Sequence, residues 1–130
     1  MKATLLYVED NEQNFYLVRF LMAAHGYEVH RARDGSEGIA SALSLRPDLI
    51  LLDIQLPQMD GYAVARTLHA SPEVGSTPIV ALTSYALPGD RDRALQAGCV
   101  GYIEKPIRPA AFVAQIEAFL AQRRDGAPPR

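Results

Sequence analysis

The sequence predicts an α/β domain in which helices cover both faces of a parallel β-sheet. Apolar runs of strand length alternate with segments of helical period five times along the chain, which is the pattern of repeated βα units. The central runs, such as 49–52, are continuously apolar, as expected for strands that are covered on both faces. With 130 residues, 48% of them hydrophobic, the chain can bury an ordinary core in one doubly wound domain.

Five apolar runs are predicted to form the strands of this sheet. The second run carries Glu28, His30 and Arg31, so we expect it to lie at an edge, where one side remains in water. The predicted strands cover about residues 3–8, 27–32, 48–53, 78–83 and 100–104.

Capping residues mark the ends of the predicted helices. Gly26 suits the position just past the first helix, and Asp34 with Glu37 forms the pattern of a capping box at the second. Asp60 can cap the third helix, and Pro109 suits the first turn of the last. The predicted helices begin at about residues 12, 35, 61, 88 and 109, and the first four end at about 25, 46, 70 and 97.

Two segments have weaker patterns than the rest. The fourth helix, about 88–97, has few apolar anchors and a length at which helices are marginal without packing, so we expect it to be mobile. Residues 123–130 have no apolar periodicity. The sequence therefore predicts a domain over 1–122 followed by a disordered tail over 123–130.

Composition excludes several classes of function. The formal net charge of -2 gives no broad electrostatic attraction to nucleic acid or to anionic membranes, so neither is an expected partner. The single Cys99 excludes an internal disulfide and a cysteine-based zinc site. No stretch approaches the roughly 20 apolar residues of a membrane span, and the N-terminus does not resemble a cleavable signal. These features predict a cytoplasmic protein.

Charged and polar side chains stand at the ends of four of the five predicted strands. Glu9 and Asp10 follow the first strand, Asp53 ends the third, Thr83 ends the fourth and Lys105 follows the fifth. Each residue alone is typical of a turn, a helix cap or a solvated surface. Because the carboxyl ends of parallel strands open onto one edge, which is where such folds bind ligands, their joint occurrence predicts one shared site.

Three carboxylates in one site repel each other unless a cation joins them. Carboxylate oxygens are the usual ligands of Mg²⁺, which pairs with phosphate oxygens, so the site is expected to handle a phosphoryl group. Asp53 is the candidate nucleophile, Lys105 would neutralise a phosphoryl oxygen, and Thr83 would donate a hydrogen bond to another. An aspartate is ordinarily ionised at neutral pH, so we expect no general base to be needed.

The chain closely resembles the receiver domain of bacterial response regulators. The resemblance is carried by Glu9-Asp10-Asn11, by 47–61 around Asp53, by Ala81-Leu82-Thr83-Ser84 and by Lys105-Pro106. Within the family, the opening Glu9-Asp10-Asn11-Glu12 and the stretch after Thr83 look most like stand-alone receivers of the DivK type and receivers attached to hybrid histidine kinases. The resemblance implies a flavodoxin-like sheet of strand order 2-1-3-4-5, an architecture for which receivers are themselves a standard example.

The resemblance also implies the chemistry of the site. Asp53 would accept a phosphoryl group from a histidine kinase or a phosphotransfer protein, and the chain would catalyse only its own phosphorylation and slow dephosphorylation. Asp10 and Asp53 would bind Mg²⁺ directly and Glu9 largely through water. The backbone carbonyl of Gln55 would be a further ligand.

Signalling, by the same resemblance, would start from the phosphoryl oxygens. Thr83 and Lys105 would contact these oxygens, and the Lys105-Pro106 peptide bond would be cis. Thr83 would move toward the phosphate and Tyr102 would turn inward, which alters the face formed by helix four, strand five and helix five. Gln55, two residues after the acceptor, and Tyr85, two residues after Thr83, would flank the phosphoryl group, and the bulk of Tyr85 is expected to slow hydrolysis.

Several alternatives follow from the same residues. A flavin carrier would need a phosphate-binding loop rich in small residues after the first strand, where the acids stand instead. A phosphohydrolase with an aspartyl-phosphate intermediate would place a second acid at Gln55. A degenerate receiver that binds partners without phosphorylation remains compatible with the pattern. Because no output domain follows the last helix, we expect output by protein contact, from a monomer or from a dimer formed on phosphorylation.

Overall fold

The computed structural model describes residues 2–84 and 87–126, with backbone only for 123–126. Within these residues, five strands and five helices alternate strictly along the chain. The elements are β1 Thr4–Val8, α1 Glu12–Ala23, β2 Glu28–Ala32, α2 Gly35–Leu45, β3 Leu49–Asp53, α3 Gly61–Ala70, β4 Ile79–Thr83, α4 Asp90–Gln96, β5 Gly101–Glu104 and α5 Pro109–Gly126.

The strands pair in parallel in the order β2-β1-β3-β4-β5. This result confirms the predicted α/β class, the doubly wound sheet and the 2-1-3-4-5 order. The expected edge position of β2 is also confirmed, since β2 pairs only with β1 among the described residues. Its buried and exposed residues partly alternate, whereas every residue of β3 and β4 is buried.

The alternation of side chains along each strand divides the core into two layers. Leu5 and Leu49 belong to the layer that packs against α1 and α5, together with Phe112 and Ile116. The neighbouring strand positions, such as Leu6, belong to the layer under α2, α3 and α4. Since both faces of the central strands β3 and β4 are covered, their polar side chains lie at the strand ends.

Local side-chain bonds explain where the helices begin. Asn11 caps α1 by accepting from the Asn14 N–H at 2.9 Å. The Asp34 side chain accepts from the Glu37 N–H at 2.8 Å, so Asp34 caps α2 as predicted. The reciprocal half of the expected capping box is displaced by one residue, because Glu37 accepts from the Arg33 N–H at 3.2 Å.

The two weaker segments differ from their predicted bounds. The fourth helix, α4, is seven residues long and is shorter than the predicted span of 88–97. It starts after Gly89, whose φ of 87° is accessible to glycine and which offers no side-chain cap. The last helix continues through 123–126, so this part of the predicted disordered tail is helical. Residues 127–130 lie outside the described residues.

Strand register sets the position of the site. Val8 pairs with Leu52 and Asp53 with Leu82, so β1, β3 and β4 end close together at the carboxyl edge of the sheet. The last residue of β4, Thr83, pairs with the last residue of β5. Among the helices of the described residues, none has the length and apolar character needed to cross a membrane.

Candidate functional site

The carboxyl edge of the sheet brings Glu9, Asp53 and Lys105 into direct contact. Glu9 and Asp53 are 1% and 4% exposed, which is unusual burial for acidic side chains. Lys105 donates from Nζ to Glu9 Oε1 at 2.6 Å and to Asp53 Oδ2 at 3.1 Å. The two acids from β1 and β3 therefore share one ammonium group that follows β5.

Glu9 is held by further donors that the sequence analysis did not identify. The Tyr7 hydroxyl donates to Oε1 at 2.8 Å, and the Asn14 side-chain amide donates to the same oxygen at 3.3 Å. Side chains two residues apart on a strand point to the same face, so the pairing of Tyr7 with Glu9 was available from sequence spacing. The contact with Asn14 depends on how α1 packs against the sheet.

The backbone that carries the acids is fixed by the neighbouring strand. Arg31, in β2, donates from Nε to the Glu9 carbonyl at 3.2 Å and from Nη2 to the Asp10 carbonyl at 2.9 Å. The side chain of Asp10 is exposed, in contrast to that of Glu9. The site thus has one acid open to solvent and two acids enclosed by protein.

Burial and crowding change the pKa values of the two enclosed acids. Burial raises the pKa of Asp53 to about 7, and the hydrogen bond and negative charge of Glu9 add to the increase. Burial also opposes ionisation of Glu9, but its hydrogen bonds with Asp53 and Lys105 outweigh this and lower its pKa to about 2. Without a bound cation, burial and the charge of Glu9 therefore oppose the ionisation of Asp53, and the ammonium of Lys105 favours it.

The acids are close enough together to bind one cation. Ligand oxygens of Glu9, Asp10 and Asp53 all lie within 4.8 Å of one another. Three carboxylates and the ammonium of Lys105 carry a formal charge of about -2 when all are ionised, which a divalent ion would balance. These oxygens fit a hard cation such as Mg²⁺, and an ion would supply charge neutralisation for an incoming anion.

The loop between β3 and α3 is tied to the same site. The Gln55 N–H donates to Asp53 Oδ1 at 2.9 Å, and the Ile54 N–H donates to the Leu82 carbonyl at 2.9 Å. Gly61 approaches this loop so closely that a Cβ on it would lie 2.6 Å from the Ile54 Cα. A residue with a side chain at this position would displace the loop that holds Gln55.

Thr83 lies beside this loop and contacts the side chain of Gln55. Its side chain is buried, and Oγ1 accepts a hydrogen bond from Gln55 Nε2 at 2.5 Å. The Ser84 N–H donates to Gln55 Oε1 at 3.0 Å. The Gln55 side chain thus bridges from the loop after β3 to the end of β4, a contact additional to the predicted roles of Gln55 as a backbone metal ligand and as a neighbour of the phosphoryl group.

Tyr102 lies on β5 and packs against the core layer under α2, α3 and α4. Its hydroxyl is buried, so the side chain points inward. Burial raises the pKa of Tyr102, and the charges of Asp90 and Glu104 add to this effect.

The Lys105-Pro106 peptide bond is cis. Tyr85, which was predicted to flank the phosphoryl group, lies outside the described residues.

The face formed by α4, β5 and α5 contains a groove of about 550 Å³. Its lining combines aromatic, charged and apolar groups, which makes it suitable for contact with a protein. The lining includes Arg91, Tyr102, Glu104, Pro106, Arg108 and Gln115. Tyr102, the residue that is expected to respond to phosphorylation, therefore lines this groove.

Comparison with known proteins agrees with the fold. The family model of the response regulator receiver domain matches residues 5–117. The polar-differentiation response regulator DivK of Brucella anthropi is 43% identical over 120 residues, which cover 92% of this chain and 98% of DivK. The chain is thus homologous to a response regulator over nearly the whole length of both proteins.

Two solved structures extend the comparison. The receiver domain of a sensor histidine kinase from Pseudomonas aeruginosa, with a magnesium ion coordinated in its active site cleft, is 36% identical with a TM-score of 0.85. The match covers 93% of this chain and 99% of that receiver. The chemotaxis protein CheY4 of Vibrio cholerae is 28% identical with a TM-score of 0.85, over 91% and 98% of the two chains. The chain belongs to the family of response regulator receiver domains, the signalling modules of two-component systems.

Proposed function

We propose that Asp53 accepts a phosphoryl group from a histidine kinase or a histidine phosphotransfer protein, in a reaction that requires Mg²⁺. An Asp53 oxygen forms a bond to phosphorus as the nitrogen–phosphorus bond of the donor phosphohistidine breaks. The products are an acyl phosphate on this chain and a free histidine on the donor. The chain catalyses only this step and its own slow dephosphorylation.

The contact between Lys105 and Asp53 is the observation that carries the proposal. Lys105 Nζ lies 3.1 Å from Asp53 Oδ2, at the carboxylate that would receive the phosphoryl group. Phosphoryl transfer depends mainly on positioning and on neutralising charge at the phosphoryl oxygens. An ammonium fixed beside the acceptor meets that requirement, and its partly buried position strengthens its electrostatic effect.

Mg²⁺ would be held by Glu9, Asp10 and Asp53, with the backbone carbonyl of Gln55 as a further ligand. The proximity of the three carboxylates supports this assignment. So does the related receiver from Pseudomonas aeruginosa that was solved with magnesium in its active site cleft. The bound ion would offset the negative charge of the phosphoryl group.

Thr83 and Tyr102 would transmit the phosphorylation to a partner. Thr83 donates to a second phosphoryl oxygen, and Tyr102 follows its movement. Because Tyr102 already points inward, phosphorylation would stabilise an orientation that the side chain can adopt beforehand. A downstream protein would recognise the groove between α4, β5 and α5, and the receiver itself would act as a monomer that can dimerise through this face.

The proposal is tested by incubating the protein with a small phosphodonor and Mg²⁺ and measuring its intact mass. The wild type should gain one phosphoryl group, and the gain should disappear in Asp53→Asn and after chelation of Mg²⁺. Asp34→Asn is the matched control, since it removes the same charge at the N-cap of α2, which asparagine also forms.

Two outcomes would contradict the proposal. A wild type that gains no phosphoryl group would favour the degenerate receiver, which binds partners without phosphorylation. A gain that persists in Asp53→Asn would assign the acceptor to another residue. Pull-downs with and without beryllofluoride, which mimics the phosphoryl group, would then show whether partners distinguish the two states.

A further inference from the structure

The side chain of Gln55 connects the acceptor loop with the end of β4. Its Nε2 donates to Thr83 Oγ1 at 2.5 Å, and its Oε1 accepts from the Ser84 N–H at 3.0 Å. The backbone of the same residue donates to Asp53 Oδ1 at 2.9 Å. One residue therefore contacts both the acceptor carboxylate and the hydroxyl assigned to the phosphoryl oxygen.

The orientation of this amide follows from the nature of its partners. The Ser84 backbone N–H can only donate, so the oxygen of the Gln55 amide must face it. This orientation directs the amide nitrogen to Thr83, where the hydroxyl oxygen can accept. Both bonds are satisfied in one orientation of the side chain, and neither survives rotation of Gln55 away from β4.

These bonds use groups that a phosphoryl oxygen would require. In the register of the sheet Asp53 pairs with Leu82, so Thr83 and Ser84 follow directly beside the acceptor. An anion on Asp53 that bonds to the Ser84 N–H must displace Gln55 Oε1, because this N–H has a single proton to donate. Movement of Thr83 toward the phosphate likewise breaks its bond with Gln55 Nε2.

We propose that the Gln55 side chain is a latch that holds Thr83 and Ser84 in the unphosphorylated arrangement and competes with the phosphoryl group for them. The inference rests on the proposed function, since it concerns the regulation of the same site. Gln55 is here a positioning residue, which acts through Thr83 and Ser84. Because its two bonds must break before the phosphoryl group can bind, the latch lowers the affinity of the wild-type site for the phosphoryl group.

The latch is tested by titrating the protein with beryllofluoride in the presence of Mg²⁺, using NMR. Gln55→Ala and Gln55→Met both remove the two bonds, and methionine keeps a side chain of similar length. Each variant should bind beryllofluoride about fivefold more tightly than the wild type, because the bonds are solvent-accessible and individually modest. Gln122→Ala, on the exposed surface of α5, is the control and should bind as the wild type does.

A second readout separates the latch from the proposed function. In the wild type without ligand, the Gln55 side-chain amide and the Ser84 N–H should show hydrogen-bonded chemical shifts, and both should change when beryllofluoride binds. Unchanged or weaker affinity in both variants would overturn the latch while leaving the proposed function intact. If only Gln55→Ala bound beryllofluoride more tightly, the effect would come from the smaller side chain and not from the lost hydrogen bonds, and the latch would also be overturned. If neither wild type nor variants bind beryllofluoride, both proposals fall.

Discussion

Asp53 and Glu9 are two buried carboxyl groups that share the ammonium of Lys105. Their pKa values move in opposite directions, to about 7 for Asp53 and to about 2 for Glu9. Two carboxyl groups in such close contact titrate together as the pH rises. The pair loses its first proton at low pH and its second proton only at higher pH. The single ammonium of Lys105 can neutralise only one of the two carboxylates. Burial therefore disfavours ionisation of both carboxyl groups at the same time.

This arrangement makes the stability of the metal-free protein depend on pH. The pKa of Asp53 in the folded protein is higher than its ordinary value of 3.8, so the folded state holds this proton more tightly than the unfolded chain does. Raising the pH from about 4 to about 7 therefore lowers the free energy of unfolding. The lowered pKa of Glu9 has the opposite effect, but only below pH 4.5.

We expect Asp53→Asn to be more stable than the wild type at neutral pH in the presence of a chelator. The gain should be on the order of 2 kcal/mol, because asparagine removes the buried charge while Lys105 keeps Glu9 as a partner. Denaturant unfolding at a series of pH values is the measurement. The difference between the two proteins should grow between about pH 4 and pH 7; a constant difference would contradict the argument.

At the scale of elements, α4 is the helix with the weakest intrinsic support. Its N-cap is a glycine without a side-chain bond, and it has only seven residues. Arg93 compensates in two ways: its guanidinium lies 4.4 Å from the ring centre of Tyr62 in α3. It also lies 3.7 Å from Asp90 Oδ1 within α4 itself. The Leu87 N–H, which precedes the helix, donates to Asp90 Oδ2 at 3.0 Å. The contact with Tyr62 therefore attaches α4, part of the expected signalling face, to α3, while the other two contacts are local to the start of α4.

Removing the Arg93 contact should loosen α4 locally. Arg93→Ala should lose about 1 kcal/mol of local stability, since the guanidinium is partly exposed. Amide hydrogen exchange should become faster in α4 and remain unchanged in α3 and in the sheet. Arg91→Ala removes the same charge from the same helix and keeps the ring contact. Equal acceleration in both variants would show that charge, not the contact with Tyr62, stabilises α4.

The elements whose position depends on burial could be predicted from the sequence. Strands end where apolar runs end, so the positions of Glu9, Asp53 and Thr83 at one edge follow from the pattern. The bounds of α4 and α5 were less predictable. Apolar periodicity reports packing against the core, whereas the end of α5 continues as helix without such a pattern.

Within the site, the acids and Lys105 were predictable as a group, but their hydrogen bonds were only partly so. Tyr7 could have been paired with Glu9 from their spacing along β1. The bridge formed by the Gln55 side chain could not, because it depends on a rotamer in a loop between two elements. Periodicity contains no information on that conformation.

At the scale of the whole molecule, Mg²⁺ should stabilise the native state because its ligands are assembled only on folding. An ion at about ten times its dissociation constant would add about 1.4 kcal/mol, or roughly 5 °C in the midpoint of thermal unfolding. Thermal unfolding with and without Mg²⁺ is the measurement. Asp10→Asn should lose most of this shift, and Asp34→Asn should keep it. No shift in the wild type would contradict the assignment of the metal site.

The Lys105 ammonium has a further consequence for when the protein is competent to react. Because it already bridges the two buried acids, the strands that carry them can assemble before any ion arrives. A divalent ion then binds to a protein that is already folded, and it neutralises part of the remaining negative charge of the site. The concentration of the ion would therefore determine what fraction of the folded protein can be phosphorylated. The fraction of protein that is folded would change comparatively little.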